Sequence, residues 1–226
     1  MRKVGLVGGI SWVSTLDYYK FINEGVNRHL GGLNFAECLI YSLNFGKVQD
    51  KTWEGSFELL LNACKSLKTS GAEAIVLCAN TAHLFADEIQ PLIDLPIIHI
   101  GTETAKAVKK TEIRKVGLLG TIFTMEKDFY IKKFAEYGLE VLVPQNPDTR
   151  NYIQYTLKEE LGRGLILKET KSRYIEITKE LVAEGAEGII LGCTEIPMLI
   201  DQDDFDIPVF DTTKIHAKAI VDYIVS

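Results

Sequence analysis

Two stretches of the chain share one pattern: Gly71-Ala-Glu-Ala-Ile-Val-Leu-Cys-Ala-Asn-Thr81 and Gly185-Ala-Glu-Gly-Ile-Ile-Leu-Gly-Cys-Thr-Glu195. Each is typical of a buried strand, because an apolar run follows a glycine turn. Each run ends in small polar residues that favour the start of a helix. Alignment of the two stretches places Cys193 opposite Ala79. The pattern therefore predicts two matching strand ends, one with a thiol and the other with a methyl group.

Other landmarks repeat at nearly the same distance. Three pairs recur in the same order, 112, 114 and 112 residues apart: Lys3 and Lys115, Gly71 and Gly185, Pro96 and Pro208. Two units are too few for a solenoid, and alternating strands and helices predict parallel sheets covered on both faces. We expect two similar doubly wound α/β domains related by a pseudo-two-fold axis. Residues 1–99, completed by a C-terminal helix at 212–226, form the first domain, and residues 100–211 form the second.

The periodicity places the individual elements. The predicted strands lie at 3–9, 37–43, 71–78, 96–100, 115–121, 139–143, 185–192 and 207–210. The first predicted helix begins after Ser11 or Ser14. Further helices are predicted at about 53–70, at 81–89, from near 124, at 151–185 with a break at 162–164, and at 213–225 at the end of the chain. A loop is expected at 44–46. In the first helix, five apolar residues have helical spacing: Trp12, Leu16, Tyr19, Ile22 and Val26.

Composition narrows the class of protein. The net charge is −6 and no Lys/Arg block reaches five residues, which argues against nucleic acid or an anionic membrane as a partner. No apolar run reaches the roughly 18 residues that a membrane span needs. The N-terminal apolar run is too short for a signal peptide, since Gly8-Gly9 interrupts it. We therefore expect a cytoplasmic protein.

The four cysteines are expected to be free thiols without a metal. No two of them form a C-x-x-C motif, and no histidine lies at ligand spacing. Strand alternation turns Cys78 towards the core, away from the face of Ala79. Cys193 ends an apolar strand, where a helix N-terminus would lower its pKa towards neutrality and make it a base or nucleophile. A structural cysteine is the open alternative at that position.

Small polar residues recur at the predicted strand ends: Ser11, Asn80, Thr81, Thr121, Thr124 and Thr194. Backbone N–H groups at helix starts attract anions, and the carboxyl ends of parallel strands bind ligands. In a cleft between the two domains, such residues suit a small molecule with one or two carboxylates. The alternative is that they are helix caps only. His83, at the start of a helix, is either a hydrogen-bonded structural group or a proton carrier at the mouth of the cleft.

A dinucleotide or a phosphate-loop nucleotide fits less well. Gly5-Leu-Val-Gly8-Gly9 is not a G-x-G-x-x-G motif, and no acidic residue ends the second strand. A P-loop lysine is absent as well.

Several motifs together resemble the cofactor-independent aspartate/glutamate racemase family. They cover essentially the whole chain: Cys78-Ala-Asn-Thr-Ala-His83, Leu191-Gly-Cys-Thr-Glu-Ile196, Gly8-Gly-Ile-Ser-Trp-Val-Ser-Thr15, Asp128-Phe-Tyr130 and Phe210-Asp-Thr212. The resemblance is closest to aspartate racemases and to bacterial L-aspartate/glutamate-specific racemases. It implies an isomerase that needs no pyridoxal phosphate or other cofactor and acts on a small acidic amino acid. Dimers are common in the family, so a homodimer is the implied assembly.

The resemblance also assigns residues. Two acid/base groups on opposite sides of the substrate α-carbon move the proton, and Cys193 matches one of them. Asn80, Thr81 and Thr194 match binders of the α-carboxylate and amine. Two further residues, Ser11 and Thr121, would line the same pocket, and Gln49 is the candidate for the distal carboxylate. Where glutamate racemases usually have Ser and His, this chain has His83 and Glu195.

The chain departs from the family at Ala79, where relatives usually have Cys and some have Thr. A methyl group cannot move a proton, so racemisation should suffer in both directions. Three explanations stay open: an ordered water held by Thr81 or Ser11 or a shifted Cys78 replaces the group; the chemistry has become one-sided, as in the related single-cysteine arylmalonate decarboxylases; or the alanine is an engineered substitution. A binding protein for a dicarboxylic amino acid, and a decarboxylase or isomerase of dicarboxylates, remain alternative functions.

Overall fold

The structure, a computed structural model, describes residues 1–50 and 53–226. The chain divides into two compact units, Met1–Ile100 with His216–Ser226, and Gly101–Ile215. Within the described residues, no helix is long and apolar enough to span a membrane.

The first unit contains a three-stranded parallel sheet of order β2-β1-β3. Its strands are β1 (Val4–Gly8), β2 (Cys38–Ser42) and β3 (Ala74–Leu77). Its helices are α1 (Trp12–Leu30), α2 (Phe45–Asp50), α3 (Phe57–Thr69) and α4 (Ala86–Ile93). The last part of the terminal helix α10 (Thr212–Val225) also belongs to this unit.

Side chains of β3 alternate between two apolar clusters. Ile75 and Leu77 pack with residues of α3 and α4, whereas Val76 and Cys78 pack with residues of α1 and α10. Ala79 joins the first cluster as a partly buried residue. Alternation along the strand therefore places Cys78 and Ala79 on opposite faces, as the sequence predicts.

The second unit contains a four-stranded parallel sheet of order β5-β4-β6-β7. Its strands are β4 (Lys115–Gly120), β5 (Glu140–Leu142), β6 (Gly188–Gly192) and β7 (Val209–Asp211). Its helices are α6 (Ile122–Glu126), α7 (Asp128–Ala135), α8 (Pro147–Glu159) and α9 (Lys168–Ala183), and α5 (Ile100–Lys109) begins at the end of the first unit. The prediction of two parallel-sheet α/β domains is thus confirmed.

The strand predicted at 96–100 is wrong. Only Ile97 pairs with β3, through a single bridge to Ile75, and α5 already begins at Ile100. Ile75 donates its N–H to the Pro96 carbonyl, and Ile98 donates to the Ile75 carbonyl. Pro96 has no N–H of its own, and the early helix start ends the extended run before a ladder can form. The equivalent strand in the second unit, β7, does form.

The five apolar residues with helical spacing in α1 do not all face the core. Trp12, Leu16 and Tyr19 are 69%, 55% and 48% exposed. The buried stripe instead runs through Tyr18, Ile22 and Val26, which are spaced by four residues. Spacing alone does not separate two neighbouring stripes when both contain large apolar residues.

Helix boundaries differ from the prediction at several places. The segment expected as a loop at 44–46 enters the short helix α2, and the helix expected from 53 starts as a 3-10 turn at Glu54–Ser56. The helix expected at 81–89 begins as a 3-10 helix, Thr81–Phe85, before α4. Lys127 has extended backbone and divides α6 from α7. Helix α8 starts at Pro147, four residues before the predicted start, because the Asn146 side chain caps it by accepting the Asp148 N–H.

Candidate active site

The second unit gathers a thiol, a hydroxyl and a carboxylate just after β6. Cys193 Sγ donates to Glu195 Oε2 at 2.9 Å, and Thr194 Oγ1 donates to the same oxygen at 2.9 Å. All three side chains are partly exposed. A proton-bearing sulfur, a second donor and a negative charge therefore share one accessible turn.

Close packing of β4 against β6 positions this turn. A Cβ on Gly192 would lie 2.8 Å from Leu118 Cδ1 and 2.9 Å from the Leu119 carbonyl oxygen. Gly120 pairs with Gly192 in the strand register. Thr212 Oγ1 donates to the Leu191 carbonyl oxygen at 2.8 Å, and this hydrogen bond fixes the end of β6. A side chain at Gly192 would push the strands apart and displace the thiol that follows.

The environment of Cys193 raises the pKa of its thiol, whereas the sequence predicts a lowered pKa. Burial raises the pKa of the thiol well above its ordinary value, and the negative charge of Glu195 raises it further. Hydrogen bonds from the Glu195 and Thr194 backbone lower the pKa by less. The helical segment that follows is only the 3-10 turn Ile196–Met198, so the dipole available to a thiolate is small. The sequence therefore suggested a thiolate where the structure favours a thiol.

Thr121 ends β4 at the same edge of this sheet. Its Oγ1 accepts the Thr124 N–H at 3.2 Å and lies 3.0 Å from Thr124 Oγ1. Thr121 is therefore the N-cap of α6, which is the structural alternative considered for these residues. Because Gly120 and Gly192 are paired neighbours, the segments that follow β4 and β6 leave the sheet side by side.

In the first unit, Ala79, Asn80 and Thr81 follow β3. Ala79 is partly buried, whereas Asn80 and Thr81 are 4% and 5% exposed. Cys78 is 1% exposed in the opposite cluster, and burial raises the pKa of its thiol. Cys78 thus does not take the place of an acid/base group on the Ala79 face.

Ser11 lies beside this strand end, after β1. Its Oγ accepts the Ser14 N–H at 3.3 Å, so Ser11 is the N-cap of α1. Ser14 Oγ in turn donates to the Cys78 carbonyl at 3.0 Å and joins the start of α1 to the end of β3. Gly9, with φ of 79°, turns the chain so tightly that a Cβ would lie 2.2 Å from the Leu43 carbonyl oxygen. The predicted residues Ser11, Asn80 and Thr81 therefore share one edge of the first sheet.

Gln49 is placed differently. It lies in α2, a helix that the sequence did not predict, and its side chain is exposed. Val48 is the residue of that helix that faces the core. A role for Gln49 in binding a distal carboxylate stays a prediction.

A buried histidine cluster is the feature that sequence reasoning missed. His83 Nδ1 lies 3.0 Å from the Ala79 carbonyl oxygen, and its Nε2 accepts the Ile100 N–H at 3.2 Å. That second bond requires an unprotonated Nε2. Nδ1 therefore carries the proton and donates a hydrogen bond to the Ala79 carbonyl oxygen. His83 is 1% exposed, and burial lowers its pKa to about 4. The neutral ring therefore supports position 79. Of the two predicted roles for His83, a structural group and a proton carrier, the structure favours the first.

His216 completes the cluster from α10. Its Nδ1 lies 2.8 Å from the Tyr18 hydroxyl and its Nε2 lies 2.7 Å from the Ile98 carbonyl oxygen. Burial and the neighbouring His83 lower its pKa to about 3. The rings of His83 and His216 are 5.5 Å apart, and His99 lies 4.7 Å from His83. The sequence signal was weak, since these histidines come from separate segments.

These two histidines predict a loss of stability in acid. Unfolded histidine has a pKa near 6.5, whereas His83 and His216 stay neutral in the fold to about 4 and 3. Below pH 6.5 the unfolded state binds protons that the folded state does not, so the free energy of unfolding falls as pH falls. We expect a loss of about 3 kcal/mol for His83 alone by pH 4, at about 1.4 kcal/mol per pKa unit. Urea unfolding at a series of pH values measures this loss.

An NMR titration of the imidazole rings gives the matched control, because His29 is exposed on α1. The signals of His83 and His216 should stay those of neutral rings well below pH 6.5. Titration of either ring near the unfolded value, or unfolding free energy that does not change between neutral pH and pH 5, would contradict the prediction.

No group of three or more His, Cys, Asp or Glu is arranged to hold a metal ion within residues 1–50 and 53–226.

Comparison with known proteins adds to this geometry. A sequence model described as Asp/Glu/hydantoin racemase matches residues 7–220. A broad-specificity amino-acid racemase of Bacillus subtilis is 24% identical over 223 residues, which cover 96% of each chain. The chain spans about half to three fifths of the length of the curated glutamate racemases that it matches.

Two crystal structures resemble the whole chain, each with 100% of both chains covered. A candidate Asp/Glu racemase from Yersinia pestis is 42% identical with a TM-score of 0.93. An aspartate racemase homologue from Pyrococcus horikoshii is 38% identical with a TM-score of 0.85.

Proposed function

Because the chain belongs to the Asp/Glu/hydantoin racemase family, we propose that it moves the α-proton of a small acidic amino acid, with Cys193 as an acid/base group. The observation that carries this proposal is the turn after β6. There a partly exposed thiol lies 2.9 Å from a carboxylate, a hydrogen-bonded pair that can hold and release a proton. The reaction is an isomerisation that needs no pyridoxal phosphate, in keeping with the family resemblance.

The reaction has two steps. One group removes the α-proton, which leaves a planar carbanion, and a second group returns a proton to the other side of the carbon. Thr194 and the pair Asn80-Thr81 are the proposed binders of the α-carboxylate and amine, and Ser11 and Thr121 are proposed as further parts of the pocket. Donors held in place before the reaction can stabilise the charge that develops on the α-carboxylate. Gln49 is the proposed contact of the distal carboxylate.

Position 79 is the counterpart of Cys193 in this scheme. Ala79 has no proton to give or accept, so racemisation is slow compared with relatives that carry Cys or Thr there. His83 holds the backbone of this residue through the 3.0 Å bond to its carbonyl oxygen. The support for an acid/base side chain is therefore retained even though the side chain is a methyl group.

Aspartate and glutamate are both proposed as substrates, and the experiment decides between them. The protein is incubated in heavy water with L-aspartate, D-aspartate or L-glutamate, and proton NMR follows the loss of the α-proton signal. Incorporation of deuterium into at least one of them is the expected result. No incorporation with any of the three rejects the proposal.

A binding protein is the second candidate function, and Ala79 is the observation that favours it. A family member that keeps its ligand-binding residues but lacks one acid/base group could sense an acidic amino acid. Micromolar binding by calorimetry without deuterium incorporation would support that function. Turnover of a malonate or maleate instead would identify a one-cysteine decarboxylase or isomerase of dicarboxylates.

A further inference from the structure

In the proposed reaction, Glu195 enters only as the hydrogen-bonded partner of the Cys193 thiol. Its Oε2 accepts a hydrogen bond from the thiol and another from Thr194 Oγ1, both at 2.9 Å. Two donors on one oxygen fix the carboxylate in place beside the sulfur. We propose that Glu195 keeps Cys193 protonated at neutral pH, so that Cys193 is the proton donor of the reaction. This inference rests on the proposed function of Cys193 as an acid/base group.

Charge explains why the protonated form is favoured. A thiolate at Cys193 would place a second negative charge about 3 Å from the carboxylate, in a partly desolvated turn. The direction agrees with the raised pKa of the thiol, of which burial is the larger cause and Glu195 the next.

Two further titratable groups that interact with the thiol do not offset the negative charge of Glu195. They are the phenols of Tyr130 on α7 and Tyr174 on α9, whose pKa values are raised chiefly by burial and partly by Cys193. The Tyr130 hydroxyl is hydrogen-bonded to Thr104 and Thr212, and the Tyr174 hydroxyl lies 2.9 Å from Thr156 Oγ1. Both phenols are therefore neutral at neutral pH. Glu195 has the largest charge effect on the thiol.

The proton balance of the donor step is simple. A solvent water on the Ala79 side first takes the α-proton, and the electron pair of that C–H bond stays on the carbon. The S–H bond of Cys193 then breaks while a new C–H bond forms at the α-carbon, and the sulfur keeps the electron pair. Water then returns a proton to the thiolate, which restores the pair with Glu195. The carboxylate makes the thiol a weaker acid, but an α-carbanion is a much stronger base than a thiolate, so donation remains downhill. Glu195 thus secures the presence of the proton and acts as a positioning residue.

The test compares Glu195→Gln with Glu195→Asp in the whole protein. Iodoacetamide alkylation of Cys193 is followed by peptide mass spectrometry from about pH 6 to about pH 11, since only the thiolate reacts. Glu195→Gln should lower the midpoint by at least about one pH unit, which makes alkylation at neutral pH about tenfold faster. The rates at high pH should stay equal. Glu195→Asp keeps the charge and should keep a midpoint close to that of the unchanged protein.

Cys38 is the internal reference, because it is partly exposed on β2 in the other unit. Its alkylation rate should be the same in all variants. An unchanged midpoint for Cys193 in Glu195→Gln would overturn the inference. A higher rate at every pH, including the plateau, would also overturn it, because Glu195 would then only shield the sulfur.

Deuterium incorporation in the same variants separates this inference from the proposed function. The pH profile of incorporation by Glu195→Gln should move in the same direction as its alkylation profile. If the unchanged protein incorporates no deuterium, the proposed function fails, while alkylation still decides whether Glu195 holds the proton.

Discussion

Replacement of Cys193 by serine is expected to lower deuterium incorporation at the α-carbon by about 10²–10⁴-fold, the usual contribution of a general acid–base group. Serine has nearly the same shape and can still donate to Glu195 Oε2, so the turn after β6 is retained. A hydroxyl is a far weaker acid than a thiol, and an alkoxide is not formed at neutral pH. Proton NMR in heavy water measures the rate for each amino acid that the unchanged protein exchanges.

Cys38→Ser is the matched control for this prediction. Cys38 is also a partly exposed thiol at a β-strand, but it lies in the first unit. Its replacement should leave the rate within about twofold of the original, far less than the effect of an acid–base group. Equal rates in Cys193→Ser and the unchanged protein would show that another group moves the proton.

Replacement of Ala79 by cysteine should raise racemisation by at least about tenfold, because it supplies the second acid/base group, and threonine, whose hydroxyl is a far weaker acid, should give a smaller gain. The new side chain would begin from a backbone that His83 already holds through the Ala79 carbonyl. A donor thiol at Cys193 requires a base as its counterpart, and cysteine at position 79 provides one. Polarimetry or circular dichroism of the amino acid follows racemisation directly.

Ala79→Val separates chemistry from packing. Valine has the shape of threonine without its hydroxyl, and Ala79 already packs against the apolar cluster of α3 and α4. We expect Ala79→Val to show no gain. A rate that is unchanged in the threonine and cysteine variants would mean that a water or another residue already serves this side of the α-carbon. An equal gain in the valine variant would mean that packing, rather than proton transfer, limits the rate.

Most of the fold prediction depended on the two similar stretches of sequence. The stretches that end at Thr81 and Glu195 form β3 and β6 with their turns, and both sheets are parallel as predicted. The alternation of side chains correctly separated Cys78 from Ala79. These features depend on near neighbours in the chain, since apolar runs, glycine turns and strand alternation are local properties.

Other features depended on residues far apart in sequence. The strand expected at 96–100 is reduced to one bridge, and the exposed face of α1 was chosen by packing rather than by spacing. His83 and His216 meet across 133 positions of the chain, which no local pattern records. The Cys193–Glu195 contact joins near neighbours, yet it depends on a turn whose direction follows from the packing of β4 against β6.

The sequence by itself therefore determined the duplicated α/β architecture, the family, and the contrast between Cys193 and Ala79. Only the tertiary structure decided the protonation of Cys193 and of His83, whose ring supports position 79. Burial and the 2.9 Å contact with Glu195 raise the pKa of Cys193, where the sequence suggested a lowered value. Burial likewise keeps His83 neutral behind Ala79. The physical reason is that a pKa depends on desolvation and on nearby charges, and both are set by which segments pack together.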